Sequence, residues 1–420
     1  MGTIAEEVFS QKLGREVHAG EMVLADVDFI MSHDSTTPLA IAAWEEIGKP
    51  LFDPDRIVIH FDHFYPSPSI NGSLLHQRTL AFVKKQGIKN FYHEGICHQV
   101  MVEKGFVVPG TIVIGGDSHT CTYGALSCFG TGMGSTDLAV SYVTGKNWFM
   151  VPHTLRFEIQ GKFPQGVYAK DLILNLVGKV GAGGANYKAC EFSGPTIHAM
   201  SISERLTLSN MAVEMGGKVG LIETDEKTFR FLKNRTSRPL KIIRPQNPRY
   251  ENVIEVEAGY LQPFVAVPHQ VDQIKPVEEV EGTEIDEFFL GTCTNGRLDD
   301  LKIAAKILAG KKVHPLSRMV VNPASNEIYT QAERQGILRV FRDAGATICN
   351  PGCGVCVGRH QGILAPGEKA LTTMNRNFLG RMGSPEAQIY LASPATVAIS
   401  AIYGRITDPR KILSTFSPLP

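Results

Sequence analysis

The amino-acid sequence predicts an α/β protein built on parallel sheets, and three observations carry that reading. Short apolar runs recur along the chain. Each run ends in small, polar or metal-liganding residues. Helical patterns lie between the runs. Apolar strands that do not alternate with polar residues are strands covered on both faces, which is the habit of a parallel sheet with helices on either side. In such sheets, ligands bind beyond the carboxyl ends of the strands. Reactive side chains at several strand ends therefore point to one active site assembled from several α/β units.

The elements follow in order. Thr3 and Glu6 have the spacing of a capping box for a helix running to about Gly14. Ile57-Val58-Ile59 leads into Asp62-His63, and Thr111 to Ile114 leads into Gly115-Gly116-Asp117-Ser118-His119-Thr120. Near Trp148 to Pro152 the Gly-rich segment stops, and Leu155 to Ile159 begins a new strand. A polar, Pro-containing connection occupies Val267 to Gly282. After it, Phe288-Phe289-Leu290 leads into Gly291-Thr292-Cys293-Thr294-Asn295 and a helical pattern from Asp299 to Leu308, closed by Gly310. Met319 to Val321 leads into Asn322 to Ser325, and Thr347-Ile348 into Pro351-Gly352-Cys353. At 420 residues the chain exceeds one small domain. The expected division is 1–150, an α/β domain with His/Asp loops; 151–283, a second α/β domain; and 284–420, an α/β domain carrying cysteines and arginines.

Composition narrows the class. Lys+Arg and Asp+Glu balance at 42 each, and there is no basic run, which argues against nucleic acid or an anionic membrane as the main partner. No apolar run approaches the roughly 18 residues of a membrane span. The N-terminus lacks the apolar core of a signal peptide, and Glu6 stands where a myristoylation pattern from Met1-Gly2 needs Ser or Thr. A cytoplasmic location is expected. Eight cysteines are too few for a disulfide scaffold in a chain of this length.

Cys353 and Cys356 form a Cys-x-x-Cys pair in a Gly/Pro-rich loop, and Cys293 lies at the end of its own strand. The pair alone fits half a zinc site, a redox dithiol or part of an iron–sulfur site. Zinc wants a second close pair, and no Cys or His lies two to four residues from Cys293. A dithiol would not need Cys293. Three thiolates suit a [4Fe-4S] cluster with one iron left open, and incidental core cysteines are the remaining possibility. Cys97, Cys121, Cys128 and Cys190 read as small packing residues, and Cys349, close enough to compete as a ligand, reads as packing at the end of a buried strand. Asp62, His63 and His119 could equally be loop-capping groups. Arg376 and Arg381 could be surface ion pairs, and His33, His60, His76 and His153 read as structural or exposed. The Gly115-Gly116 and Gly130 to Gly134 segments match neither dinucleotide nor P-loop fingerprints, so they read as tight backbone packing.

Five blocks taken together are more specific. Cys293-Thr294-Asn295, Pro351-Gly352-Cys353-Gly354-x-Cys356, Asn375-Arg376-Asn377-Phe378-x-Gly380-Arg381, Gly116 to Thr120 and Gly130-x-Gly132-x-Gly134 resemble the signature blocks of the aconitase superfamily and span nearly the whole chain. The resemblance implies three α/β/α domains around one [4Fe-4S] cluster per subunit, held by Cys293, Cys353 and Cys356. It implies acid–base pairs Asp62–His63, His98–Asp117 and His119–Glu191. It also implies carboxylate-gripping Arg376 and Arg381, with Ser118, Asn295 and Asn375 as further contacts. Such a constellation dehydrates and rehydrates a small hydroxy-dicarboxylic acid. Imidazole tuned by a carboxylate suits protonation of a departing hydroxyl, and Arg forks suit a dianion.

Single-chain family members carry a further C-terminal domain with a serine base. This sequence reaches Pro420 without one, so a separate small subunit is expected, in a heterodimer or heterotetramer. Where aconitases carry a substrate-contacting glutamine, the aligned position here is about Pro38, which disfavours citrate and favours a less polar γ substituent. An iron-sensing RNA binder and a zinc-stabilised structural subunit are the rivals from other classes.

Overall fold

A computed structural model of the chain describes residues 2–413; Met1 and the stretch from 414 to Pro420 lie outside them. Its contacts divide into two compact units, Met1–Ile159 with Gly183–Val256 and Gln160–Ala182 with Glu257–Pro420. The expected middle domain, 151–283, is thus shared between the two units.

The first unit centres on a five-stranded sheet whose strands all run parallel, in the order Asn90–Tyr92, Ile57–His60, Phe29–His33, Ile112–Gly115, Phe129–Gly132. Side chains alternate between two covered faces. Ile30, Ile57, Ile59, Ile112 and Ile114 join one core with Phe9 and Phe149. Met31, Val58 and Val113 join another with Met101, Tyr123 and Leu126. Each of these apolar side chains contributes roughly 1.5–3 kcal/mol on burial, which is why the runs carry so few polar residues. The helix Ile4–Leu13 has its expected capping box, Thr3 N donating to Glu6 Oε2 at 2.8 Å, and it stops at Gly14 in the left-handed region. A four-stranded sheet, in the order Val219–Leu221, Ala189–Ser193, Thr154–Gln160, Asn252–Glu257, and an antiparallel pair, Met22–Asp26 with Lys146–Met150, accompany it.

The second unit holds a seven-stranded sheet. Five neighbours are parallel: Gln388–Leu391, Lys369–Thr372, Glu287–Leu290, Arg318–Val321 and Thr347–Ile348. Phe264–Ala266 and Ile274–Pro276 extend it antiparallel, so part of the expected loop at 267–282 is strand. The helix read over Asp299 to Leu308 is Leu298–Leu308, beginning beside Arg297 and closing at Ala309, one residue before Gly310. Among the described residues no helix is long and apolar enough to cross a membrane.

Candidate active site

In the first unit three adjacent strands, ending at His60, His33 and Gly115, deliver imidazoles and carboxylates to one edge of the sheet. Asp117 is the centre of the group. Its Oδ1 lies 2.9 Å from His98 Nε2 and accepts the His119 backbone N–H at 2.7 Å. Its Oδ2 lies 3.6 Å from both His33 Nε2 and His63 Nε2. Asp62 is fixed between His63 Nδ1 at 2.8 Å and the Cys97 N–H at 2.8 Å. The His33 and His63 rings stack at 3.9 Å. Asp34 accepts from the N–H groups of His63 and Phe64 and so holds the His63 loop against the strand end.

Charge inside this cluster is sorted by its neighbours. Burial works against ionising Asp117, yet the charge of His98 and hydrogen bonds from His119, His33 and His63 outweigh it, and its carboxyl lies well below the usual range. Asp62 is likewise depressed: His63 and His33 overcome the burial penalty. Burial lowers His98, with Asp117 recovering only part of the loss. His33 moves the other way. Burial and the His63 charge oppose its protonation, but Asp117, Asp34 and Asp62 raise it above the ordinary value. The cluster therefore keeps both carboxylates ionised and its imidazoles unequal, which suits storing and handing over one proton.

The expected pairs Asp62–His63 and His98–Asp117 meet in this way. The expected pair His119–Glu191 does not. His119 Nε2 lies 2.8 Å from Glu214 Oε1, and both side chains are buried. Glu191 sits in the strand Ala189–Ser193, where it accepts from Arg156 at 2.6 Å, from the Tyr250 hydroxyl, and from Ile4 N at 3.0 Å. It caps the first helix and shares the partly buried Arg156 with Glu158. His33, read as structural or exposed, stands inside the cluster, with Asp34 beside it. Sequence reasoning missed Glu214 as well. The signal for His33-Asp34 was its position just after an apolar run, Phe29-Ile30-Met31; Glu214, in a short 3₁₀ turn, carries no comparable signal. Ser118 is half-buried next to Asp117 and borders a cavity of about 320 Å³ shared with Gly132, Gly134 and Lys218. The glycine-rich segments are tight packing as expected. A Cβ on Gly130 would stand 2.4 Å from Thr120 O, and one on Gly132 would stand 2.8 Å from Asp117 O.

In the second unit the carboxyl ends of four parallel neighbours carry Cys293, Asn322, the Cys353–Cys356 loop and Asn375-Arg376. Asn322 joins two of these loops. Its backbone oxygen crowds Gly291 and Gly296 on either side of Cys293, and its side chain packs on Gly354, where a Cβ would stand 2.7 Å from Oδ1. Cys293, Cys353 and Cys356 are buried and join no disulfide among the described residues. Asn375 Nδ2 lies 3.4 Å from Cys293 Sγ, and an Arg381 guanidinium nitrogen lies 3.2 Å from Cys356 Sγ. Donors aimed at sulfur suit thiolates, the form that ligates metal. Among the described residues the metal-type ligand atoms gathered within 4.8 Å of one another belong to His33, Asp34, Asp62 and His63, not to the cysteines. Asn295 Nδ2 donates to Asp300 at 2.8 Å, while Arg376 is half-buried beside Asn375. The other five cysteines are buried, in keeping with packing roles.

The chain belongs to the aconitase family: residues 6–404 match the Aconitase family (aconitate hydratase). It is 53% identical to the probable 3-isopropylmalate dehydratase large subunit of Methanothermobacter thermautotrophicus, over 97% of this chain and 98% of that protein. It is 48% identical to 3-isopropylmalate dehydratase large subunit 1 of Methanopyrus kandleri, over 98% of this chain and 99% of that one. A probable methanogen homoaconitase large subunit, also from M. thermautotrophicus, is 48% identical over 97% of both chains.

Proposed function

We propose that this chain is the large subunit of a 3-isopropylmalate dehydratase, a hydro-lyase that interconverts 2-isopropylmalate and 3-isopropylmalate through the unsaturated acid in leucine biosynthesis. The observation that carries the reading is the presence, in one chain, of three buried thiols at parallel strand ends and an ionised carboxylate–imidazole cluster. Near-full-length likeness to dehydratase large subunits supports it.

Cys293, Cys353 and Cys356 would hold one [4Fe-4S] cluster, which when bound supplies a Lewis acid for the hydroxyl that departs. The chain's own residues do the rest. Asp62 accepts from His63 Nδ1, which leaves His63 Nε2 to carry the transferable proton. Asp117 accepts from His98 and keeps the imidazoles around it polarised. Glu214 orients His119 in the same manner. Arg376 and Arg381 are the forks for substrate carboxylates, with Ser118, Asn295 and Asn375 as neighbouring polar contacts. A small subunit completes the enzyme, as the names of the relatives suggest, and the pair works in the cytoplasm. The three-domain division at 1–150, 151–283 and 284–420 has support in the three main sheets. Each domain carries most of one sheet, although the strands at 264–276 join the third.

The test is the growth of the unsaturated acid's ultraviolet absorbance from isopropylmalate, using anaerobically reconstituted protein with its small subunit. Absence of turnover with isopropylmalate and with other malate-type acids removes the proposal. A second reading, homoaconitase, is favoured by the 48% identical homoaconitase relative. Preference for homoaconitate over isopropylmalate in the same assay would select it.

A further inference from the structure

A buried lysine stands behind the Cys293 loop and has no part in the roles above. Lys170 lies in the first turn of the helix Ala169–Val180 and is 1% exposed. Its ammonium donates to the backbone carbonyls of Thr373 at 3.0 Å and Met374 at 2.5 Å. Burying a cation is costly unless its donors are used, so its place implies a task for those bonds. The adjacent Asp171 is a weak counter-ion. Burial pushes its carboxyl up to about 7, and its oxygens serve the N–H groups of Tyr168 and Phe264.

The two carbonyls that Lys170 holds come just before Asn375-Arg376. Thr373 Oγ1 in turn accepts from Gly291 N at 3.0 Å and donates to Gly291 O at 3.1 Å. Gly291 is two residues before Cys293, and between them Thr292 sits at φ 74°, a left-handed conformation that a β-branched residue keeps only when its surroundings impose it. Asn375 then reaches Cys293 Sγ at 3.4 Å. An unbroken set of contacts thus runs from the ammonium, through residues 373–374, to the thiol by two routes.

We propose that Lys170 is a positioning residue: it fixes the 373–376 segment and, through the Thr373–Gly291 clamp and the Asn375 amide, the orientation of the Cys293 thiol. The proposal rests on the reading of Cys293 as a metal ligand, but its test does not. Metal-free full-length protein is pulsed with iodoacetamide, and labelling of each cysteine peptide is followed by mass spectrometry. In Lys170→Met, Cys293 is expected to react about tenfold faster. Cys353 and Cys356, in a separate loop that follows the strand Thr347–Ile348, should change less than about twofold. Lys170→Arg, which keeps charge and donors, should restore most of the protection. A folded Lys170→Met protein with an unchanged Cys293 rate, or with all three rates raised together, overturns the proposal. If the methionine variant does not fold, Lys170→Gln is read by the same ratio; failure of both to fold makes Lys170 a general stability element and equally overturns it. In reconstituted enzyme the same loosening should raise KM through Arg376 more than it lowers kcat. Loss of isopropylmalate turnover in the parent protein would sink the dehydratase reading and leave the labelling result standing.

Discussion

The two units prepare chemistry in opposite ways. In the first, a carboxylate at the centre of four imidazoles satisfies its charge from within: Asp117 and Asp62 are ionised because their own neighbours make them so. In the second, Cys293 and Cys356 meet amide and guanidinium donors, with Asn375 and Arg381 pointing at sulfur and Lys170 and Arg297 holding nearby backbone carbonyls. The carboxylate–imidazole region balances its own charge when the chain folds. The thiol region carries donors directed at sulfur, which fits the metal centre proposed for it. The comparison teaches where each change should be felt: loss of metal should leave the imidazoles as they were, and loss of a carboxylate should leave the thiols as they were.

The largest expected effect breaks the second region alone. Cys353→Ser removes one thiolate of three and should cut turnover on the order of 10³-fold or more, since Lewis-acid assistance is worth several kcal/mol. Iron bound per chain should fall with it. The histidine titrations followed by NMR should be superimposable on those of the parent. A shift in the imidazole titrations would mean that the first region is not self-contained.

A pair of carboxylates sharpens the same contrast inside the first unit. Glu214→Gln weakens the orientation of His119 and should lower kcat about 10- to 100-fold with little change in stability. Glu191→Gln removes one of the two carboxylates on partly buried Arg156, which keeps Glu158 at 2.9 Å, and should cost about 1 kcal/mol of stability, read by urea titration, with kcat per folded molecule unchanged. The reverse outcome would exchange the roles of the two residues.

That exchange marks the limit of what could be read without coordinates. Strands such as Ile57–His60, Ile112–Gly115 and Glu287–Leu290 were legible because burial on both faces forces continuous apolar runs. Phe29–His33, the middle strand of the five, was not: Ser32 and His33 interrupt its run exactly where the site begins, a position chosen for chemistry rather than packing. Gly132 and Gly130 similarly hide Phe129–Gly132, because close backbone approach removes the side chains that signal a strand. Asp117 and the three cysteines were read within motif blocks, while Asp62, His63 and His98 were carried over from the family resemblance. Glu214 lies 95 residues from His119, and no local pattern reports a contact of that range. Glu191 drew the assignment from a loosely matching family block; in the structure it serves Arg156 and the Ile4 N–H.

The smallest effect tests how sharply the charged row ends. His60 closes the strand next to Phe29–His33, yet its ring is fully buried, stacks on Tyr92 at 5.6 Å, and has no hydrogen-bond partner at either nitrogen among the described residues. Burial drives its pKa down to about 3, against which the nearby Asp62 charge is too weak. The unfolded chain takes up a proton at His60 as pH falls below about 6.5, and the folded chain does not until about pH 3. A neutral His60 therefore costs no stability above about pH 6.5 and an increasing amount below it, at most about 1.4 kcal/mol per pH unit. His60→Phe keeps the stack and removes the titration. Its stability relative to the parent should be constant above about pH 7 and should move in the variant's favour by about 2 kcal/mol at about pH 5, measured by urea unfolding at both values. Parallel pH profiles for the two proteins would show that His60 finds a proton in the folded state, which would extend the ionised cluster one strand further than its hydrogen bonds do.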